Sequence, residues 1–192
     1  MRVFFIDNLG SFTYNLVEEF EKKDCEVMVY RSDIDPKIIE EEIKNFKPKL
    51  IVIGSGSSLK NSGISIQIIE NYYKKIPIFG VGLGNCCIIE AFGGKVGKVP
   101  AVSFGKQSKI THDGKTIYKK SDKVFNAAWY NPLIGVEIPY CLEVSARTDS
   151  SIIMGIRHKE HFVEGIQFNP ESILTPLGSL IIENLIDEVS KK

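Results

Sequence analysis

Apolar and polar positions follow two alternating periods through the first half of the chain. Arg2 to Ile6, Val27 to Tyr30, Leu50 to Ile53 and Ile76 to Val81 are short apolar runs of strand length. Each is followed by a stretch whose apolar residues recur every three to four positions, the mark of a helix with one buried face. The stripes are Phe12, Leu16 and Phe20, then Ile39, Ile43 and Phe46, then Ile64, Ile68 and Tyr72, then Ile88, Ile89 and Phe92. Ser11 is placed to cap the first helix, and Asp35-Pro36 to open the second, which Pro48 closes. Four successive strand-helix units imply a doubly wound, mostly parallel sheet with helices on both faces.

After Gly94 the pattern changes to short segments broken by turns: Val102 to Phe104, Ser108 to Thr111, Thr116 to Tyr118 and Val124 to Ala128. These predict antiparallel ribbons extending one edge of the sheet. Leu142 to Ala146, Ile152 to Arg157 and Phe162 to Phe168 continue the β pattern, and a last helix is expected from Pro176 to about Val189. With no internal repeat, linker or low-complexity segment, residues 1–192 are expected to form one α/β domain.

Composition narrows the partners. Twenty-four basic and 24 acidic residues leave a formal net charge of zero, which argues against electrostatic capture of nucleic acid or an anionic membrane. No apolar segment approaches the roughly 20 residues of a membrane span. The four cysteines, Cys25, Cys86, Cys87 and Cys141, show no paired metal spacing, so free thiols in a reducing cytoplasm are expected, with neither metal nor cofactor. His112, His158 and His161 lie at or beside turns and are expected to be solvated.

The candidate chemistry sits where the fourth apolar run ends in Gly80-Val81-Gly82-Leu83-Gly84 and a helix begins. A strand-turn-helix elbow presents its turn residue at the carboxyl edge of a parallel sheet, where hydrolases place a nucleophile. The residue in that position, Gly82, has no side chain, and the alternative is a tight turn without chemistry.

Gly80-Val81-Gly82-Leu83-Gly84-Asn85 resembles the Gly-Val-Cys-Leu-Gly-His elbow of class I glutamine amidotransferases, in particular the small subunits of anthranilate and aminodeoxychorismate synthases. Ile6-Asp7-Asn8, Ser11-Phe12-Thr13-Tyr14-Asn15-Leu16, Ala91-Phe92-Gly93-Gly94, Gly155-Ile156-Arg157-His158 and Glu164-Gly165-Ile166-Gln167-Phe168 with Pro170-Glu171-Ser172 are similar to that family in the same order. The resemblance implies a flavodoxin-like sheet and a catalytic set of thiolate, histidine and orienting carboxylate. On this chain the nucleophile position is Gly82, the base position is Asn169 and the carboxylate is Glu171. Glycine offers no thiol and an asparagine amide is no base near neutral pH, so two of the three roles are empty.

The surrounding pocket departs in the same direction. By the resemblance, oxyanion and substrate positions fall on Gly56, Ser57, Ser58, Leu83, Cys86, Asn131 and Pro132. The loop Ser55-Gly56-Ser57-Ser58 is one residue shorter than the family's Pro-Gly-Pro-Gly, and Pro132 removes an amide donor. Ser103-Phe104-Gly105-Lys106 replaces a Met-His-Gly-Lys segment. Cys86 stands one helical turn, about 5 Å, beyond Gly82, too far for attack at about 3.5 Å, and is expected to pack as an apolar residue.

Three functions are therefore weighed. The first is a catalytically inactive partner of a large chorismate-using synthase subunit. The second is an active glutamine-hydrolysing subunit that supplies ammonia for anthranilate or aminodeoxychorismate synthesis. The third is a small-molecule sensor or binding module on the same fold.

Overall fold

Alternate residues of the first strand face opposite sides of the sheet, and two apolar layers form around them. The computed structural model describes residues 1–56, 58–99 and 106–191. Its strands are β1 (Arg2–Asn8), β2 (Glu26–Arg31), β3 (Leu50–Gly56), β4 (Ile78–Val81), β5 (Lys95–Lys98), β6 (Gln107–His112), β7 (Val124–Ala128), β8 (Leu133–Glu137), β9 (Leu142–Thr148), β10 (Ile153–His158) and β11 (Val163–Ile166). The helices are α1 (Thr13–Glu21), α2 (Pro36–Phe46), α3 (Gly63–Tyr72), α4 (Leu83–Ala91) and α5 (Gly178–Ser190). Val3 and Phe5 join Leu16 and Phe20 of α1 and Ile181 and Leu185 of α5 in one core. Phe4 and Ile6 join Ile39 and Ile43 of α2, Ile68 of α3 and Ile88 of α4 in the other. Helices thus cover both faces, as the period of the sequence requires.

The main sheet runs in the order β2-β1-β3-β4-β11-β10-β9-β6-β7. Its first five strands are parallel, and from β11 onward the pairing is antiparallel. The expected edge ribbons are therefore β9, β6 and β7, laid beside β10. Asp35 caps α2, its side chain accepting from the Lys37 amide at 2.9 Å, and Lys47 ends the helix in the left-handed region at φ 51°.

Three local expectations are corrected. Ser11 does not cap α1: the cap position is Phe12, without a side-chain hydrogen bond, and Thr13 Oγ1 instead donates to Asp7 Oδ1 at 2.6 Å. Thr116–Tyr118 is a 3-10 turn, not a strand. The third concerns the histidines. His112 and His158 are buried, at 4% and 7% exposure, because each serves its turn from inside. The Gly114 amide donates to His112 Nδ1 at 3.0 Å, and the Glu160 and His161 amides donate to His158 Nδ1, both at 3.0 Å. A small second sheet, β5 with β8, carries Lys95 to Lys98 across Glu137 to Leu133, which no periodicity in those residues announces. The expected strand Val102 to Phe104 and the segment Ser103-Phe104-Gly105 lie outside the described residues.

Candidate active site at the strand-helix elbow

All four residues of β4 are buried, and the strand ends at Gly82, whose φ of 58° and ψ of −107° turn the chain into α4. The turn is held on both sides: the Gly82 amide donates to the Ile166 carbonyl at 2.8 Å, and the Cys86 amide to the Gly82 carbonyl at 3.3 Å. A positive φ of this kind is strained for any residue with a Cβ. Space adds a second restriction. A Cβ on Gly82 would stand 2.6 Å from Ser55 Oγ and 3.3 Å from Ser55 Cβ, so the Ser55 hydroxyl would have to turn away to admit it. The Ser55 hydroxyl thus fills the place from which a side chain of residue 82 would project. Gly84 is needed for another reason: a Cβ there would run into the Ile53 carbonyl, so glycine lets α4 lie directly on β3.

The neighbouring pocket positions are joined by hydrogen bonds. Asn131, 3% exposed, donates from Nδ2 to the Gly56 carbonyl at 3.0 Å and accepts the Leu133 amide at 2.8 Å. The Pro132 carbonyl accepts from the Val99 amide at 2.8 Å. Leu83 is fully buried, its methyl group beside Gly56. Ser58 turns away to cap the 3-10 turn Leu59–Asn61, accepting the Lys60 amide at 3.2 Å. Ser57 lies outside the described residues.

Cys86 packs as expected. It is fully buried, with Sγ 3.6 Å from both the Leu133 carbonyl and Gln167 Oε1. Burial first, then the nearby Cys87 and Glu90, push its thiol far above the usual range, and burial raises Cys87 to about 12. Both partners of Cys86 are acceptors and neither is a base, so this sulfur stays a thiol near neutral pH. Gln167 also accepts Asn85 Nδ2 at 2.9 Å and donates to the Leu133 carbonyl at 2.8 Å, bolting α4 to β8.

Asn169 and Glu171 form a pair of their own. Asn169 Nδ2 donates to Glu171 Oε1 at 2.6 Å, and the Asn169 amide donates to the Ala128 carbonyl at 2.9 Å. Asn169 Oδ1 and Glu171 Oε2 are buried without partners. Burial raises the Glu171 carboxyl above the ordinary glutamate range, against the opposing hydrogen bond from Asn169. Among the described residues no hydrogen bond joins this pair to Gly82 or Cys86. Sequence reasoning placed Ser55 in the oxyanion loop and Asn85 on the elbow without their contacts, and missed Gln167 as part of the site. Ser55 was visible only as one residue of a loop, and its proximity to Gly82 depends on the register of β3 beside β4.

The glutamine amidotransferase class-I family model matches residues 4–189. The chain is 43% identical over 189 residues to the multifunctional tryptophan biosynthesis protein of Pichia angusta; the match covers 96% of this chain but spans only about half, 51%, of that relative. It is 39% identical over 193 residues to the aminodeoxychorismate/anthranilate synthase component 2 of Bacillus subtilis, covering 99% of this chain and 98% of that one. In fold it is similar to the crystal structure of a glutamine amidotransferase from Thermotoga maritima, with a TM-score of 0.83 at 14% identity, covering 100% of this chain and 99% of the other.

Proposed function

The chain belongs to the class-I glutamine amidotransferase family, and from that premise we propose that it is a component II-like subunit that binds a large chorismate-using synthase subunit without hydrolysing glutamine itself. The observation that carries the reading is the filled elbow: Gly82 offers no nucleophile, and the Ser55 hydroxyl occupies the room one would need. Asn169, in the base position, gives its amide donor to Glu171 and can accept no proton from a thiol. We read residues 1–192 as one amidotransferase-like domain whose framework outlasts its pocket.

A surface for the partner lies on the same edge of the sheet. Leu9, Phe12, Tyr14 and Ile173 are 42%, 43%, 72% and 95% exposed, and the Phe12 ring sits 5.2 Å from that of Tyr130. Exposed apolar groups gathered beside a site suit protein contact better than solvent. Among the described residues no helix is long and apolar enough to cross a membrane.

The second reading, an active subunit supplying ammonia, is favoured by identity along nearly the whole length of the Bacillus subtilis component 2. A glutaminase assay on the chain alone, and with a synthase subunit recovered by pull-down from native cytosol, separates the two. The expected result is capture of the synthase subunit and no ammonia release above background. Glutamine-dependent ammonia release, or covalent labelling of a cysteine by a glutamine-like chloroketone, would reverse the assignment. Failure to recover a synthase subunit would favour a binding module instead.

A further inference from the structure

The amino edge of the sheet, opposite the elbow, carries a groove of about 770 Å³. It runs beneath the first residues of β1, β3, β4 and β11, four neighbours in the sheet. Arg2, Lys44, Lys47, Lys49, Lys74 and Lys75 line it, and the lone carboxylate among the described lining residues is Glu160. A chain with no net charge therefore gathers a strong positive excess at one place.

Two ordinary explanations are insufficient. Lysines at helix ends offset the negative carbonyl terminus, and Lys44 in the last turn of α2 fits that role. The last turn of α3 contains no basic residue, and Arg2, Lys49, Lys74 and Lys75 lie outside the helices. Nor are the charges neutralised by ion pairs. Among the described residues none of the six cations is within salt-bridge distance of a carboxylate. Three of them rest on rings instead: Arg2 is 5.7 Å from the Phe46 centroid, Lys74 is 5.4 Å from that of Tyr73, and Lys75 is 5.8 Å from that of Tyr72. Such contacts hold a cation without neutralising its charge.

The groove spans about one Debye length and its six cations are exposed, so salt screens their mutual repulsion only in part. A bound counter-charge relieves that repulsion, and the volume is in the range of about 300 to 1,000 Å³ typical of small-molecule sites. Lysine ammoniums are point-charge ligands for phosphoryl oxygens. We propose that this groove binds a small polyanion carrying two or more phosphoryl groups.

The test is calorimetric titration of the full chain with inorganic pyrophosphate, with ADP and with adenosine. Saturable one-to-one binding of pyrophosphate and ADP is expected, weakening as salt rises, with none for adenosine. The double variant Lys44→Gln/Lys75→Gln should bind at least ten-fold more weakly with an unchanged melting temperature, whereas Lys109→Gln, on the edge ribbon β6, should bind like the parent. Absence of saturable binding, or equal affinity in the double variant, would overturn the proposal. So would tight binding of an acidic peptide that pyrophosphate fails to displace, which would give the groove to a protein partner. Because the groove and the elbow lie on opposite edges of the sheet, neither this result nor the glutaminase assay decides the other.

Discussion

Two glutamates with buried carboxyl oxygens, one on β11 and one at the rim of the elbow, are treated in opposite ways. Glu164, 1% exposed, accepts Arg157 Nε at 3.1 Å on one oxygen and Thr116 Oγ1 at 2.9 Å on the other. Arg157 goes on to Asp113 at 2.8 Å and Glu143 at 3.0 Å, so every charge in the cluster has a partner. Glu171 has one side-chain donor, Asn169, beside its own backbone amide, and both its second oxygen and the Asn169 oxygen are unmatched. Burial pushes both carboxyls upward, but only Glu164 has a full positive charge pulling it back. Groups buried to hold a fold together come with their partners. The Asn169 and Glu171 oxygens stand outside that rule, so the carboxyl at the elbow rim is less completely matched than that of Glu164.

The largest effect should come from breaking the matched cluster. Arg157→Met strands the Glu164 charge and should cost about 3 to 5 kcal/mol, read as a shifted urea midpoint. A loss below about 1 kcal/mol would mean the two glutamates are not so different. Next is Gly82→Cys, expected to cost about 1 to 3 kcal/mol from backbone strain, with the collision against Ser55 in addition. Ser55→Gly in the same chain should recover part of it, and an undiminished stability of the single variant would show the elbow is not filled. Gly82→Cys with Asn169→His should still fall short of family turnover in a glutaminase assay, since one missing oxyanion donor alone costs about 3 to 4 kcal/mol.

A smaller and opposite effect is expected at the unmatched pair. The Glu171 carboxyl is raised in the folded chain, so its contribution to stability is present at acid pH and is lost as pH climbs through the raised value. Glu171→Gln removes that titration and offers an amide donor to the pair, so it should stabilise by about 1 kcal/mol at pH 7. The advantage should shrink toward pH 4; an advantage that grew on acidification would reverse the assignment. The smallest change is expected at Lys95, whose ion pair with Glu137 at 2.8 Å is open to solvent on both sides. Lys95→Ala should move the unfolding free energy by less than about 0.5 kcal/mol.

Much of this architecture is legible in the chain because burial on two faces leaves a continuous apolar run. Phe4, Phe5 and Ile6 read as a central strand for that reason, and Ile39, Ile43 and Phe46 as a helix facing it. The elbow was equally visible, since glycine is demanded where α4 lies on β3. What escaped notice were features that depend on contact between distant segments. Lys95-Val96-Gly97-Lys98 is a strand only because Leu133 to Glu137 pairs with it. His112 looks like a turn residue by position and is one, yet it is buried because the Tyr118 ring stacks against it at 4.6 Å. Ser55 reads as loop punctuation until the register of two strands sets it against Gly82.

The parallel pairing that completes the elbow strand has a consequence for how the molecule is made. β4 pairs Ile78 with Val163, so its second neighbour is contributed by the last part of the chain. During synthesis the amino-terminal strands can associate early, whereas β4 remains an exposed edge until β11 emerges. Gly82 cannot donate to Ile166 before then. Closing such a distant contact is slow, and an uncovered apolar edge invites association with other chains. The shape of the elbow is thus a late product of folding, and nascent chains halted before Val163 would present an unfinished sheet to chaperones.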